Sequence, residues 1–213
     1  MKKIFLTISV FLFSIVGFSQ YGYRDSNRIG ITVGVNQFSL LTDNFESKPL
    51  LGWNLGLSVR GNFRNSFDMV YAMQFSESNF TVATINSQSI NEDVKYKLSS
   101  AQISLLLSYI IVENHISFEF GPMMQVNGKL TIDKENENNK IANSTLLVKD
   151  ILDISKFNFY PTVGITTGLK HFRANFQYQY GINNILGNLN NSSSEKKLKG
   201  NAGIISGNII IYL

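Results

Sequence analysis

RIGITVGVNQF, residues 28–38, sets Ile29, Ile31, Val33 and Val35 on one side of an extended chain and Gly30, Thr32, Gly34 and Asn36 on the other. Successive side chains of a strand point to opposite faces, so a clean period of two reads as a strand lying between two different media. The next segment, LGWNLGLSVR (51–60), repeats the pattern, with Leu51, Trp53, Leu55, Leu57 and Val59 opposing Gly52, Asn54, Gly56, Ser58 and Arg60. Segment three alternates Phe67, Met69, Tyr71, Met73 and Phe75 with Asp68, Ala72, Gln74 and Ser76. Segment four opposes Ala101, Ile103, Leu105, Leu107, Tyr109 and Ile111 to Ser100, Gln102, Ser104 and Ser108.

Segment five sets Ile116, Phe118 and Phe120 against Ser117, Glu119 and Gly121, and segment six sets Phe159, Val163, Ile165 and Leu169 against Asn158, Thr162, Gly164 and Gly168. In segment seven, FRANFQYQY, Phe172, Ala174, Phe176, Tyr178 and Tyr180 oppose Arg173, Asn175, Gln177 and Gln179. Segment eight, GNAGIISGNIIIYL, places Ile205, Ile209, Ile211 and Leu213 on one face, while Ile204, Ile210 and Tyr212 break the alternation; it is expected to be the closing strand.

Links near 62–66, 113–114 and 170–171 are short, whereas 39–49, 78–93, 127–153 and 182–199 are long. That rhythm predicts an all-β, eight-stranded antiparallel up-and-down transmembrane β-barrel, with turns and mature termini in the periplasm and four longer loops outside. Every backbone group in the bilayer core must be paired, and only closure removes the exposed edges. An eight-stranded barrel is just wide enough for its own side chains, so a polar plug is expected inside.

The first residues, MKKIFLTISVFLFSIVGFSQ, have Lys2 and Lys3 before an apolar run and small residues Gly17 and Ser19 at the end. They are expected to be a signal peptide, residues 1–19, leaving a barrel domain over 20–213. The chain has 19 basic and 15 acidic residues; without Lys2 and Lys3 that is 17 against 15, a mature charge of +2, which gives no reason to expect nucleic acid. With no cysteine, disulfides and thiolate metal sites are excluded.

Four charges are expected to point inward, Arg60, Asp68, Glu119 and Arg173, and to pair or bridge through water, because an isolated buried charge is costly. Trp53, Tyr71, Tyr109, Tyr178 and Tyr180 are candidates for interfacial girdles, where a ring keeps its body in acyl chains and its polar tip at the headgroups. Pro122 and Pro161 cannot donate to a ladder and predict a bulge or the end of regular pairing near the outer rim. In the third loop, KENENNKIANS reads as a solvated or mobile run, and Leu147, Ile151 and Ile154 suit one face of a short helix or an extension of strand six. The fourth loop, with NLNNSSSEKKLK, reads as a hydrophilic excursion.

No catalytic set can be assembled. His115 and His171 fall at turns on the periplasmic side, neither has a second histidine at metal-ligand spacing, and Asp133, Glu135 and Glu137 lack the calcium-loop pattern. Catalytic, cofactor and metal sites are therefore all expected to be absent. A loop-based lipid hydrolase would need a base near the outer rim.

RIGITVGVNQF, then KPLLGWNLGLSVRGNFRNSFDMVYAMQFSES, then AQISLLLSYIIVENHISFEFGPMMQ with its Gly121-Pro122 pair, and finally FRANFQYQYGINNI with Tyr180-Gly181 and Asn184, resemble in order and spacing the PorT-like family of outer-membrane β-barrel domain proteins. The likeness covers nearly all of the mature chain, although Leu213 stands where the family has a terminal aromatic. It implies an outer-membrane location, with outer-membrane lipid and the barrel-insertion machinery as partners. For some members it implies a role in type IX secretion, hence contact with envelope or secretion proteins, and it supplies no catalytic residues.

The rival reading is a secreted, lipocalin-like barrel that binds a small ligand, which is also eight-stranded but turns its apolar face inward. Charged residues are nearly missing from the apolar face, which favours lipid over water outside.

Overall fold

The computed structural model describes residues 27–191 and 197–213. The expected signal peptide, and residues 192–196 of the fourth loop, lie outside the described residues. Nine strands follow in chain order: β1 (Arg28–Leu41), β2 (Ser47–Arg64), β3 (Phe67–Ile85), β4 (Asn91–Val112), β5 (Ile116–Asn127), the two-residue β6 (Lys140–Ile141), β7 (Phe157–Gly168), β8 (Phe172–Tyr180) and β9 (Asn201–Tyr212). All but β6 form a closed antiparallel ring. Each pairs with its neighbours in sequence, β5 with β7 across the excursion that holds β6, and β9 returns to β1.

The register fixes the shape of the cylinder. From Arg28 the paired positions run through Arg60, Val70, Leu106, Gly121, Thr162, Gln179 and Ile204 and return to β1 at Phe38, ten residues along from 28 to 38. With eight strands, that stagger tilts each strand by roughly 40° from the axis. So narrow a tube leaves little room on its inner face. A Cβ on Gly34 would lie 2.3 Å from both Asn208 Oδ1 and the Gly207 carbonyl oxygen, which is why a glycine sits in the polar face of β1.

Three connections are tight: Asn65–Ser66, residues 113–115 and residues 169–171. Asn65 and Asn114 adopt positive φ (46° and 58°), a conformation that asparagine tolerates better than most residues. These turns share one end of the barrel with Arg28 and Leu213, which is the periplasmic end in barrels of this type.

The sense of the alternation is unambiguous. Ile29, Ile31, Val33 and Val35 stand outside, 51–58% exposed, while Arg28, Thr32 and Asn36 point into the lumen, at most 7% exposed. The other strands follow, so the greasy stripes form a continuous outer band. A lipocalin-like arrangement requires the reverse, and is excluded.

The outer half departs from the sequence reading. Residues 78–93 are not a loop: β3 and β4 continue as a paired ribbon from Ser78 opposite Leu98 to Ile85 opposite Asn91. Residues 39–49 likewise belong mostly to β1 and β2. In this extension the inward face turns apolar, with Phe38, Phe80, Val82, Val94, Tyr96 and Leu98 all at 2% exposure or less. The third loop folds over them: in its polar run Lys134, Glu135, Asn138, Lys140 and Asn143 are exposed as expected, while Asn139 and Ile141 turn inward. It contains a 3₁₀ turn at Lys134–Asn136, pairs β6 with Thr84–Ile85 of β3, and ends in a second 3₁₀ turn, Val148–Ile151. The short helix expected around Leu147 is thus one turn long, with Val148, Ile151 and Ile154 buried and Leu147 only half-buried.

The fourth loop also departs from a plain hydrophilic excursion, because it inserts Ile185, Leu186, Leu189 and Leu198 into the same apolar cluster. The two loops are knitted by Ser155 N–H to the Ile185 carbonyl (2.8 Å) and Asn188 Nδ2 to the Ile154 carbonyl (3.1 Å). We call this consolidated unit the outer head.

The prolines do not end their strands. Pro122 and Pro161 face each other in the β5–β7 ladder, and regular β4–β5 pairing is interrupted opposite Gly121 and Pro122. On the far side of β7, pairing with β8 extends outward only to Thr162–Gln179. In β9 the apparent break in alternation is an inward face that is itself partly apolar: Ile204 enters the head, while Ile210 and Tyr212 line the lower lumen.

Candidate functional site

Three regions could carry a role: the lumen, the lipid-facing wall and the outer head. In the lumen, Arg60 comes from β2, Asp68 from the start of β3, Glu119 from β5 and Arg173 from β8, all on inward positions fixed by the period of two. Each is at most 4% exposed. Arg60 donates through Nη1 to Asp68 Oδ2 (3.3 Å) and Ser108 Oγ (2.8 Å), and through Nη2 to Glu119 Oε1. The other Glu119 oxygen accepts from Asn175 Nδ2 at 3.0 Å. Asn175 in turn donates to Thr166 Oγ1 (2.8 Å) and accepts from Asn208 (3.2 Å). One guanidinium thus joins two carboxylates, and hydrogen bonds extend the network across β4, β5, β7, β8 and β9.

Arg173 lies against the same cluster without a direct bond to it. It shares a small cavity with Arg28, Arg60, Asp68, Asn114 and Ser117, and its Nε has no hydrogen-bond partner among the described residues. Arg28, which sequence reading did not single out, donates to the Lys170 carbonyl and to Asn114 Oδ1 (3.2 Å), tying two periplasmic turns together. Its inward phase in β1 was the available signal.

Above the charges, amides and hydroxyls fill the tube. Gln102 Nε2 donates to Gln125 Oε1 (3.0 Å), Gln125 to Asn127 (2.6 Å), and Ser76 and Ser100 share a bond of 2.9 Å. A cavity of about 20 Å³ lies between Gln74, Gln102, Ser104, Glu119, Gln177 and Gln179, and the one beside Arg173 has the same size. Each has room for about one water. Ser108, Gln125 and Thr166 have no solvent exposure, so these lumen residues are not wetted as those of a conducting pore are.

On the wall, the five aromatics expected at interfaces all face outward, 39–47% exposed. Tyr109 packs at a tilt against Phe67 (5.2 Å between centroids) beside the β2–β3 turn, at the periplasmic edge. Trp53 pairs with Glu77, and Tyr178 and Tyr180 end β8, all at the outer edge. Tyr71 pairs with Val59 and Leu105, four residues up β3 from Phe67, which places it within the band and away from either rim.

A closed ring of eight strands, greasy outside and polar inside, leaves one architecture. The chain is an outer-membrane-type β-barrel. Among solved structures it is similar to Ail, the attachment invasion locus protein of Yersinia pestis, which was solved in complex with the heparin analogue sucrose octasulfate. Identity there is 13%, the alignment covers 88% of this chain and 99% of that one, and the TM-score is 0.50. The outer membrane protein OprG of Pseudomonas aeruginosa is 12% identical, with 88% and 93% covered and a TM-score of 0.38. No family model and no curated protein matches the chain.

In the head, Phe80 stacks on Tyr96 (5.2 Å, 7° between planes) and packs against Phe38 (5.5 Å). The Tyr96 hydroxyl donates to the Val148 carbonyl (3.1 Å), and burial pushes its pKa above the ordinary tyrosine range. Sequence reading missed this core. The signal was present: Val94, Tyr96 and Leu98 continue the phase of Ser100 and Gln102, so carrying segment four outward puts apolar residues on its inner face.

Proposed function

We propose that this protein is a non-enzymatic integral barrel of the outer membrane, serving envelope structure or secretion in an accessory capacity, with the outer head as its contact surface. One observation carries this reading: the lumen is filled with mutually bonded side chains, while the outer loops form a consolidated body with an apolar core. A barrel that is closed to passage and presents a rigid head is suited to holding a partner. On this reading the Arg60, Asp68, Glu119 and Arg173 cluster is a structural network and not an ion path, and Trp53, Tyr109, Tyr178 and Tyr180 anchor the barrel at the two headgroup levels.

The resemblance to PorT-like proteins supports type IX secretion as the specific setting. Residues 1–19 act on this reading as the export signal, and β9 with its terminal Tyr212-Leu213 is what the insertion machinery reads. Outer-membrane lipid covers the wall, and no nucleic acid, cofactor or metal takes part.

The test is affinity capture from detergent-solubilised envelopes, comparing the full chain with a variant in which residues 129–155 are replaced by a short turn. Both variants must show heat-modifiable migration, the mark of a folded barrel. Recovery of secretion components by the full chain alone supports the proposal. Equal recovery by both removes the head from it, and recovery of none by either removes the secretion setting.

A further inference from the structure

The outward wall is not uniform at its outer edge. Lys97 is an outward residue of β4, two positions above Ser99 and four above Ala101, where the apolar band begins. Its backbone is bonded in both directions to Thr131 (2.9 Å), and Gly128 N–H donates to the Ser99 carbonyl (2.9 Å), so Lys129 is held beside the same edge. Asn127 N–H donates to the Lys156 carbonyl (2.7 Å), which places Lys156 next to the top of β5. All three lysines are exposed. Among the described residues none of their ammonium groups is within ion-pair distance of a carboxylate, Asp93 being engaged by Lys48 at 3.1 Å.

Directly below them the wall shows Ile103 (42% exposed), Met124 (52%), Val126 (44%) and Phe157 (66%). On the neighbouring β3, Glu77 pairs with Ser99 and borders the patch with one carboxylate, and farther round the outer rim the outward positions are Trp53, Leu41, Tyr180 and Ile182. The cluster of Lys97, Lys129 and Lys156 lies on the β4–β5–β7 side, on a backbone fixed by the head.

We propose that Lys97, Lys129 and Lys156 form a binding site for the phosphates of a phosphorylated, multiply acylated glycolipid of the outer leaflet, with its acyl chains lying on Ile103, Met124, Val126 and Phe157. The site has the two chemistries of such a molecule stacked in the right order: cations at headgroup height and an apolar strip beneath. A soluble anion would use only the upper part, and a neutral lipid only the lower. The inference depends on the outer-membrane placement but not on the identity of any protein partner.

The experiment uses the full mature chain in nanodiscs of phosphatidylcholine doped with diphosphoryl lipid A, its dephosphorylated form, or phosphatidylglycerol, and native mass spectrometry to count lipids that remain on the released barrel. A lysine near a charged surface contributes about fivefold in affinity, so K97Q/K129Q/K156Q is expected to weaken retention of diphosphoryl lipid A roughly a hundredfold. A control on top of the head, K134Q/K140Q/K149Q, is expected to retain it as the wild type does. The single variants should each show the fivefold step, which keeps the test open if the triple variant fails to fold.

Equal retention of the dephosphorylated lipid, equal retention by the K97Q/K129Q/K156Q variant, or equal loss in the head control overturns the site. Equal retention of phosphatidylglycerol overturns the glycolipid assignment. A chain that does not enter the nanodiscs overturns the barrel placement instead, and is recognised by the absence of heat-modifiable migration.

Discussion

Replacing Arg60 by methionine keeps most of the volume of the side chain and removes its charge, leaving Asp68 and Glu119 buried without the cation that joins them. Arg60 is 1% exposed and makes three side-chain bonds, to Asp68, Ser108 and Glu119. Breaking a buried pair by removing one partner costs about 3–5 kcal/mol, because the charge left behind has lost its water and its counter-charge. At a urea slope of about 2 kcal/mol per molar, the unfolding midpoint of Arg60→Met should fall by roughly 2 M.

Trp53 is the sole tryptophan and faces lipid, so its emission reports unfolding from vesicles without interference. Glu119→Gln should cost less, about 1–3 kcal/mol, since Arg60 keeps Asp68 at 3.3 Å and a neutral amide is left, not a bare charge. The double variant should then cost less than the two single changes summed, by more than about 1 kcal/mol, because the second change removes a carboxylate that the first left without its cation. Additive costs, or a midpoint for Arg60→Met within about 0.5 M of wild type, would show that water already satisfies these groups and that the network is not what consolidates the lower lumen.

In the head, Ile151→Ala should cost about 2–5 kcal/mol locally, seen as faster proteolysis of residues 128–156 while heat-modifiable migration of the barrel persists; simultaneous loss of both would show that head and barrel unfold together. Gly34→Val drives a side chain into Asn208, Gly207 and Asn54 and should shift the barrel to its unfolded gel position at lower temperature by about 1–3 kcal/mol of stability, with unchanged migration counting against the tight inner face. Tyr96 stays protonated in the folded head beyond the pH at which an exposed tyrosine ionises, so the head's stability is complete below about pH 10 and declines as pH rises further; near-ultraviolet circular dichroism should show an alkaline transition that Tyr96→Phe moves upward. Bromine placed near the headgroups of vesicle lipids should quench Trp53 more strongly than bromine at the acyl termini, and the opposite order would displace Trp53 from the outer edge.

How much of this was legible depends on which rule governs each region. In the bilayer band the medium outside is uniform, so the period of two in β1, β2 and β8 carries the whole answer and the eight strands can be read directly. Beyond the band that rule fails. Lipid no longer lies outside the protruding ribbon, and Phe80, Val82, Val94, Tyr96 and Leu98 are buried because residues 128–156, 181–190 and 197–200 cover its inner face. The loops supply their own apolar residues at irregular spacing, Leu130, Ile141, Val148, Ile151, Ile185 and Leu189, which no single period reveals. Arg60, Asp68 and Glu119 were identifiable as inward because a charge cannot face acyl chains, but their joining depends on the stagger of ten, which comes from pairing between strands far apart in sequence.

The inner face thus changes chemistry along its length, and the change has a physical cause. Within the membrane, the outer surface must be apolar, so each strand can place polar groups only at its inner positions, where they bond to one another or line the two small cavities. Outside the membrane the constraint reverses: outward positions such as Lys95 and Lys97 can be polar, and the inner ones are free to form an ordinary apolar core. The switch falls between Asn36 and Phe38 on β1, between Ser78 and Phe80 on β3, and between Ser100 and Leu98 on β4. On β4 it coincides with the outward change from Ala101 and Ile103 to Lys97, so the inner and outer surfaces exchange character at one height, which is where the outer leaflet ends. That coincidence puts Lys97 at the upper edge of the apolar band, and the backbone bonds to Thr131 and from Gly128 to Ser99 hold Lys129 beside it.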